Sequence, residues 1–120
     1  MLRVEQIDGI AVVRVYDDVD IASAPQFESC LRILRDEIAL VIDLDSCPYF
    51  DSTGLSVLYR AIRNQHVLVF MPKSCPLRRI FDIVAAGQLF PIFENEDTAL
   101  HAARNIMNVG ERPSNKVTIN

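Results

Sequence analysis

Residues 39–63, ALVIDLDSCPYFDSTGLSVLYRAIR, predict a buried strand, a short loop and then a helix. ALVIDL at 39–44 is almost continuously apolar, which is typical of a central strand covered on both faces of a sheet. A polar group, DSTG, follows the loop, and either Asp51 or Ser52 is placed to cap the helix. Apolar residues then recur at the spacing of one helical face: Leu55, Leu58, Tyr59 and Ile62.

Toward the N-terminus, the sequence predicts a β-hairpin followed by a helix. Residues 2–16 are rich in β-branched residues around Asp8-Gly9, a strong signal for a two-residue turn. The helix is expected to begin at Ser23, and Gln26, three residues on, would complete a capping box.

Toward the C-terminus, strands and helices continue to alternate. VLVFM at 67–71 predicts another buried strand, and the helix after it is expected to end at Gly87. A short strand at 91–93 then leads to a last helix capped near Asn95.

The predicted order is β-β-α-β-α-β-α-β-α, which defines an α/β domain with a four- to five-stranded mixed sheet and about four helices. Strands that alternate with helices form parallel crossovers, and the opening hairpin adds one antiparallel strand. Ligand sites in such sheets lie beyond the carboxyl ends of the strands. Residues 17–20, DDVD, and the pair Asp51-Ser52 both lie at such ends.

The size and composition of the chain fit one globular domain. We expect residues 1–108 to form it and the polar residues 109–120 to form a flexible tail, because 120 residues suit a single core. The chain has 12 basic and 16 acidic residues, and this balance argues against nucleic-acid binding. The N-terminus is too polar for a signal peptide, and no apolar run approaches the ~20 residues that span a bilayer. We therefore expect a cytoplasmic protein without membrane insertion.

The cysteines and histidines do not form a recognisable metal site. Cys30, Cys47 and Cys75 are odd in number and widely spaced, and the two histidines, His66 and His101, are far from any cysteine. We expect free thiols and neither a metal nor another cofactor.

Several enzyme classes are weakly suggested and then disfavoured. Asp43 and Asp45 after a strand resemble the first motif of haloacid-dehalogenase-like phosphatases, with Lys73 as a candidate partner, but the further acidic ligands are missing. DSTG departs from the Asp-Thr-Gly of aspartic proteases by the inserted Ser52. A receiver-type phosphoacceptor would need an acidic pair after the first strand, and a serine hydrolase would need a GxSxG-like elbow.

Two interpretations of Ser52 remain open at this point. In the first, Asp51 or Ser52 is an ordinary helix cap. In the second, Ser52 accepts a phosphate, which the unpaired N–H groups and the positive dipole end of the helix would stabilise.

The segment LVIDLDSCPYFDSTGLSVL at 40–58 resembles the signature of the STAS domain, in particular that of the bacterial anti-sigma factor antagonists, also called anti-anti-sigma factors. Asp18-Val19-Asp20 matches the family's acidic residue, Leu and Asp after the second strand. Residues 76–100 are similar to the family's C-terminal part, and the resemblance covers about residues 2–107. The sequence departs from the pattern at Ser56 and Asp17, which are often Gly in the family, and in a short link at 63–66.

The resemblance implies a partner switch in transcription regulation and stress response, and no enzymatic activity. Ser52 would be phosphorylated by an anti-sigma factor that is also a serine kinase, and a PP2C-type serine phosphatase would reset it. The unphosphorylated form would bind the kinase and free a sigma factor. The surface implied comprises Asp20, Asp51, Ser52, Thr53, Gly54 and Leu55. The alternative is a non-switching STAS scaffold or an accessory subunit of a stress-sensing or transporter complex.

Overall fold

A computed structural model describes residues 1–83 and 89–113 and has the predicted order of elements. The strands are β1 (Leu2–Ile7), β2 (Ile10–Val15), β3 (Ala39–Asp43), β4 (His66–Phe70) and β5 (Ile92–Phe93). The helices are α1 (Ala24–Ile33), α2 (Ser52–Ala61), α3 (Leu77–Ile83) and α4 (Glu96–Val109). The sheet order is β1-β2-β3-β4-β5; β1 pairs antiparallel with β2, and all other pairs are parallel. The predicted mixed α/β fold is confirmed, while the predicted stop at Gly87 lies outside the described residues.

The hairpin turn forms where the sequence predicts it. Asp8 and Gly9 both have positive φ, 51° and 81°, as a type I′ turn requires, and Ile7 pairs with Ile10 across it. This turn fixes the register that places alternate β2 residues on opposite faces of the sheet.

Both faces of the sheet are covered, which explains the apolar run of the central strand. Val13 and Leu40 face a core closed by α1, α2 and α3, whereas Val12 and Val41 face a second core closed by α4. All five residues of β3 are buried. A strand buried on both faces does not alternate between apolar and polar residues, and in β3 only Asp43 is polar.

Two loops meet at the carboxyl edge of the sheet and form the base of the candidate site. Val19, after β2, makes an isolated parallel bridge to Phe50, after β3. The Val19 N–H donates to the Tyr49 carbonyl at 2.8 Å, and the Asp51 N–H donates to the Val19 carbonyl at 3.2 Å. Phe50 is buried between Phe27 and Phe81, with ring centroids 5.9 and 5.4 Å apart. The two acidic loops are therefore held together by backbone hydrogen bonds over an aromatic cluster.

The C-terminal segment begins where α4 ends. Gly110 closes the helix with φ of 76°, and the Glu111 carbonyl then accepts a hydrogen bond from His66 Nε2 at 2.9 Å. Of the predicted tail at 109–120, residues 114–120 lie outside the described part. Within the described ranges, no helix combines the length and the apolar character needed to cross a bilayer.

Candidate functional site

Asp51 is the residue that caps α2, which decides the choice that the sequence left open. Its backbone is extended, and its carboxylate accepts the Thr53 N–H at 2.9 Å and the Thr53 hydroxyl at 2.5 Å. The hydrogen bond from the Thr53 hydroxyl, reinforced by backbone N–H groups of Thr53 and Gly54, lowers the pKa of Asp51 below its ordinary value. Asp51 is therefore a charged cap whose acceptor capacity is used on its own helix.

Ser52 is the first residue of α2 and its side chain is exposed. Among the described residues, nothing hydrogen-bonds to its hydroxyl, whereas its backbone carbonyl accepts the Ser56 hydroxyl at 3.0 Å. The neighbouring Thr53 is half-buried and its hydroxyl is held by Asp51. Of the two adjacent hydroxyls, only that of Ser52 is free to meet a partner or to accept a phosphate.

Gly54 and Leu55, both predicted to contribute to the partner surface, lie beneath it. Gly54 is buried, and a Cβ at this position would lie 2.8 Å from Phe50 Cζ and 2.9 Å from Val19 Cγ1. Leu55 is also buried and belongs to the main core. These two residues hold the first turn of α2 against the loop bridge, and that contact sets the position of Ser52.

Asp20 is tied into the turn that precedes α1. Its Oδ1 accepts the N–H groups of Ala22 and Ser23, both at 3.0 Å. The capping box predicted for Ser23 is wrong: the Ser23 hydroxyl makes no capping bond and instead donates to the Asp18 carbonyl at 2.7 Å. Asp20 accepts the Ser23 N–H that the Gln26 side chain would accept in a capping box, and the Gln26 N–H donates to the Ser23 carbonyl at 3.0 Å. Since Asp20 and Asp51 follow the two bridged residues Val19 and Phe50, the structure brings both carboxylates to the same edge of the sheet.

The surface around Ser52 is strongly acidic. Segments 15–31 and 44–59, which include both loops, contain no Lys or Arg. Their aspartates are Asp17, Asp18, Asp20, Asp45 and Asp51. Asp17, at a position that is often Gly in the resembling family, contacts the N-terminal ammonium.

Two exposed apolar residues flank the loop bridge and were missed at the sequence level. Ile21 is 80% exposed, and Tyr49 is 46% exposed. Each stands in a polar loop beside a buried residue of the bridge, Val19 or Phe50. An apolar residue in an otherwise polar loop is the signal that could have identified them, because such side chains often anchor partners.

Asp43, the candidate nucleophile of a phosphatase-like motif, is engaged in an ion cluster. Its carboxylate accepts Arg14 Nη1 at 2.6 Å and the Asp45 N–H at 2.9 Å. Arg14 also reaches Glu96 at 2.5 Å and Glu5 at 3.3 Å. The bonds from Arg14 to Glu96, and then to Asp43 and Glu5, raise the pKa of the guanidinium despite its burial. Through Arg14, Asp43 at the end of β3 is linked to β2 and to α4.

Gln65 and Ser56 lie at positions where the sequence departs from the family pattern, and both make hydrogen bonds that stabilise the region of α2. Gln65, which is 3% exposed, donates from Nε2 to the Leu34 and Glu37 carbonyls, both at 3.0 Å. It ties the end of α2 to the end of α1 within the shortened link at 63–66. Ser56, where the family often has Gly, bonds back to Ser52 within α2.

Comparison with known proteins assigns the family. The sequence-family model of the STAS domain matches residues 1–99, so the chain belongs to the STAS domain family. An anti-sigma factor antagonist from Mycobacterium paratuberculosis is 28% identical, with a TM-score of 0.78 over 87% of this chain and 93% of that one. The anti-sigma factor antagonist SpoIIAA, in its unphosphorylated form, shares the fold at 16% identity, with a TM-score of 0.64 over 87% and 98% of the two chains. No curated protein matches the sequence.

Proposed function

We propose that this STAS domain is an anti-sigma factor antagonist that is controlled by phosphorylation of Ser52. Unphosphorylated, it binds an anti-sigma factor with serine kinase activity, and the sigma factor is released. Phosphorylated on Ser52, it leaves the kinase, until a PP2C-type serine phosphatase removes the phosphate. In this mechanism the protein is a substrate and a switch rather than an enzyme.

The observation that carries the proposal is the free hydroxyl of Ser52 at the N-terminus of α2. A kinase needs an exposed hydroxyl, and Ser52 offers one while Thr53 is held by Asp51. The family match and the 28% identical antagonist support the same assignment.

The position of Ser52 makes phosphorylation a local event. The positive end of the α2 dipole favours a phosphate on the first residue of the helix, so the fold need not change. The phosphate brings about −1.5 to −2 charges to a surface that is already acidic. A partner adapted to the unmodified surface would have to desolvate that added charge, which weakens binding.

The residues around Ser52 indicate which chemical groups the binding surface of the kinase would carry. Asp20 and the other loop carboxylates favour a partner with basic groups, because complementary charge speeds association and fixes register. Ile21 and Tyr49 offer apolar anchors on either side of the bridge. Asp20→Asn keeps a capping side chain while removing its charge, and we expect it to slow kinase association without unfolding the domain.

The test is a phosphorylation assay with the serine kinase encoded nearest to this chain. The purified protein is incubated with ATP and the kinase, and the phosphate is mapped by mass spectrometry. Ser52→Ala removes the proposed acceptor, and Thr53→Val is the matched control that removes the neighbouring hydroxyl. Stoichiometric phosphate on Ser52 in wild type and Thr53→Val, absent in Ser52→Ala, is the expected result.

Binding measurements complete the test. Ser52→Ala should bind the kinase constitutively, and Ser52→Asp should bind it more weakly. If a kinase that is active on another antagonist adds no phosphate here, the switch is refuted and a non-switching STAS scaffold or accessory subunit becomes the better assignment.

A further inference from the structure

The two helices that flank the loop bridge carry opposite charges at their two ends. α1 and α2 both connect parallel strands, so their N-termini lie at the same edge of the sheet. That edge is the acidic surface around Ser52. At the other ends, Arg32 and Arg60 lie in the last turns of α1 and α2, and Arg35 and Arg63 lie in the turns that follow. The end around Ser52 is therefore acidic, whereas the other end combines these four arginines with Asp36 and Glu37, which follow Arg35.

A cleft between α1 and α2 lies toward this second end, and three arginines are among its lining residues. It encloses about 220 Å³ and has buried apolar residues, Leu31 and Val57, in its lining. Arg32, Arg35 and Arg60 lie around it, and their side chains are exposed. The cleft thus combines an apolar lining with guanidinium groups.

The positive charge of this cleft is only partly balanced. Glu28 is the one carboxylate among the lining residues, and it pairs with Arg60 at 2.5 Å and with Arg32 at 3.9 Å. Arg35 forms no ion pair with any residue in the described ranges. Two guanidinium groups share the Glu28 carboxylate and that of Arg35 is unpaired within the described ranges, so the cleft lining has an excess of positive charge although the whole chain has a net charge of −4.

The C-terminal segment fixes one end of this cleft. Arg112 donates to the carbonyls of Arg35 at 3.2 Å, Asp36 at 2.9 Å and Asn64 at 3.0 Å. These carbonyls lie in the turns that directly follow α1 and α2, beside the negative dipole ends of both helices, which would otherwise repel an anion. Arg112 neutralises that end and holds the helix ends at a fixed separation, so the cleft is preformed.

We propose that the α1–α2 cleft docks an acidic segment of a partner protein, at a surface separate from Ser52. The complementary partner carries carboxylates spaced along one face of a helix, with an aliphatic side chain between them to contact Leu31 and Val57. The volume argues for side chains, because pockets for drug-sized molecules enclose about 300–1,000 Å³. The surface does not include Ser52, so it can stay occupied in both phosphorylation states.

The experiment uses the full chain, labelled with ¹⁵N, and a synthetic 14-residue amphipathic peptide with Glu at i, i+4 positions and Leu between them. The matched peptide has Gln in place of Glu. Arg32→Gln/Arg35→Gln is the test variant, and Arg104→Gln is its control, an exposed arginine on α4 that pairs with Asp8. Ser52→Asp tests whether peptide binding at the cleft is independent of the charge at the phosphorylation site.

We expect the Glu peptide to shift amide signals at 31–35 and 57–65 and the Gln peptide to leave them unchanged. The double variant should bind the Glu peptide about tenfold more weakly than wild type does. Arg104→Gln and Ser52→Asp should bind it with the same affinity as wild type. Affinity should also fall with added salt. Equal binding by the double variant, shifts confined to other residues, or no binding at millimolar peptide would each overturn the proposal, whatever the outcome of the kinase assay.

Discussion

Gly54 lies so close to the ring of Phe50 that a methyl group cannot fit between them. A Cβ at Gly54 would be 2.8 Å from Phe50 Cζ and 2.9 Å from Cε1. Val19 closes the same space from the other loop, also at 2.9 Å. The glycine thus joins the first turn of α2 to the bridged loops, so the position of Ser52 depends on a residue that never reaches the surface.

Gly54→Ala should therefore destabilise the domain, although alanine favours a helix. Overpacking a core typically costs about 1–3 kcal/mol, while the gain in helix propensity is at most about 1 kcal/mol. We expect a net loss of about 1–2 kcal/mol in the free energy of unfolding, measured by urea denaturation. Ser56→Ala, two residues further along on the exposed face of α2, is the control and should change stability by less than about 0.5 kcal/mol. Equal stability of Gly54→Ala and wild type would contradict the proposed contact.

The contact itself can be isolated by a double-mutant cycle. If Phe50 is the obstacle, Gly54→Ala should cost less in a Phe50→Leu background than in wild type. The order of strands and helices along the chain was predictable from local patterns, because double-sided burial leaves an apolar run and the turn at Asp8-Gly9 leaves a turn signal. The contact between Gly54 and Phe50 was not, because glycine carries no pattern that reveals which atoms approach it.

Asp51 and Ser52 should differ sharply when each is replaced. Asp51→Ala removes the side chain that accepts the Thr53 N–H and hydroxyl, and we expect a loss of about 1 kcal/mol in the free energy of unfolding. Ser52→Ala removes a hydroxyl that no described residue contacts, so stability should change by less than about 0.5 kcal/mol. A larger loss for Ser52→Ala than for Asp51→Ala would favour a capping role for Ser52.

The choice between these two caps shows where sequence reasoning stops. Both residue types are good caps, and they are adjacent, so spacing cannot separate them. The choice depends on which residue keeps extended backbone angles, which is set by the Val19–Phe50 bridge immediately before Asp51. The capping box at Ser23 was wrongly predicted because other acceptors take its N–H groups: the Ser23 N–H donates to the Asp20 carboxylate, and the Gln26 N–H donates to the Ser23 carbonyl.

The Asp51 cap should also give a defined pH dependence. Its pKa is lowered in the folded state, so the stabilisation is fully present above the ordinary aspartate pKa of about 3.9 and is lost as the pH falls through the folded value. The difference in unfolding free energy between wild type and Asp51→Ala should be constant from about pH 8 to 5 and shrink below about pH 4. Asp51→Asn, which caps without titrating, should not show this shrinkage relative to Asp51→Ala. A difference that stays constant down to pH 2 would exclude the charged cap.

The ion cluster around Arg14 supports the site from the opposite face of the sheet. Arg14 joins Asp43 and Glu96, which lie 29 and 82 positions away in the sequence, so no local pattern could have predicted it. Asp43 also accepts the Asp45 N–H, which starts the loop that leads to Asp51. The cluster therefore couples the ends of two strands and α4 to the loop that carries the site.

Arg14→Leu should be the most damaging single change outside the apolar core, because it leaves partly buried carboxylates without their cation. Removing one partner of a buried ion pair costs about 3–5 kcal/mol, and the residual exposure of Arg14 and Asp43, 16% and 12%, places the expected loss near about 2–3 kcal/mol. Arg14→Leu/Asp43→Leu removes both charges and should recover part of that loss, as measured by urea unfolding. Arg104→Leu, which breaks the exposed pair with Asp8, is the matched control and should cost less than about 1 kcal/mol. If Arg14→Leu and Arg104→Leu are equally mild, the Arg14 cluster is a solvated surface feature and does not hold the loop that presents Ser52.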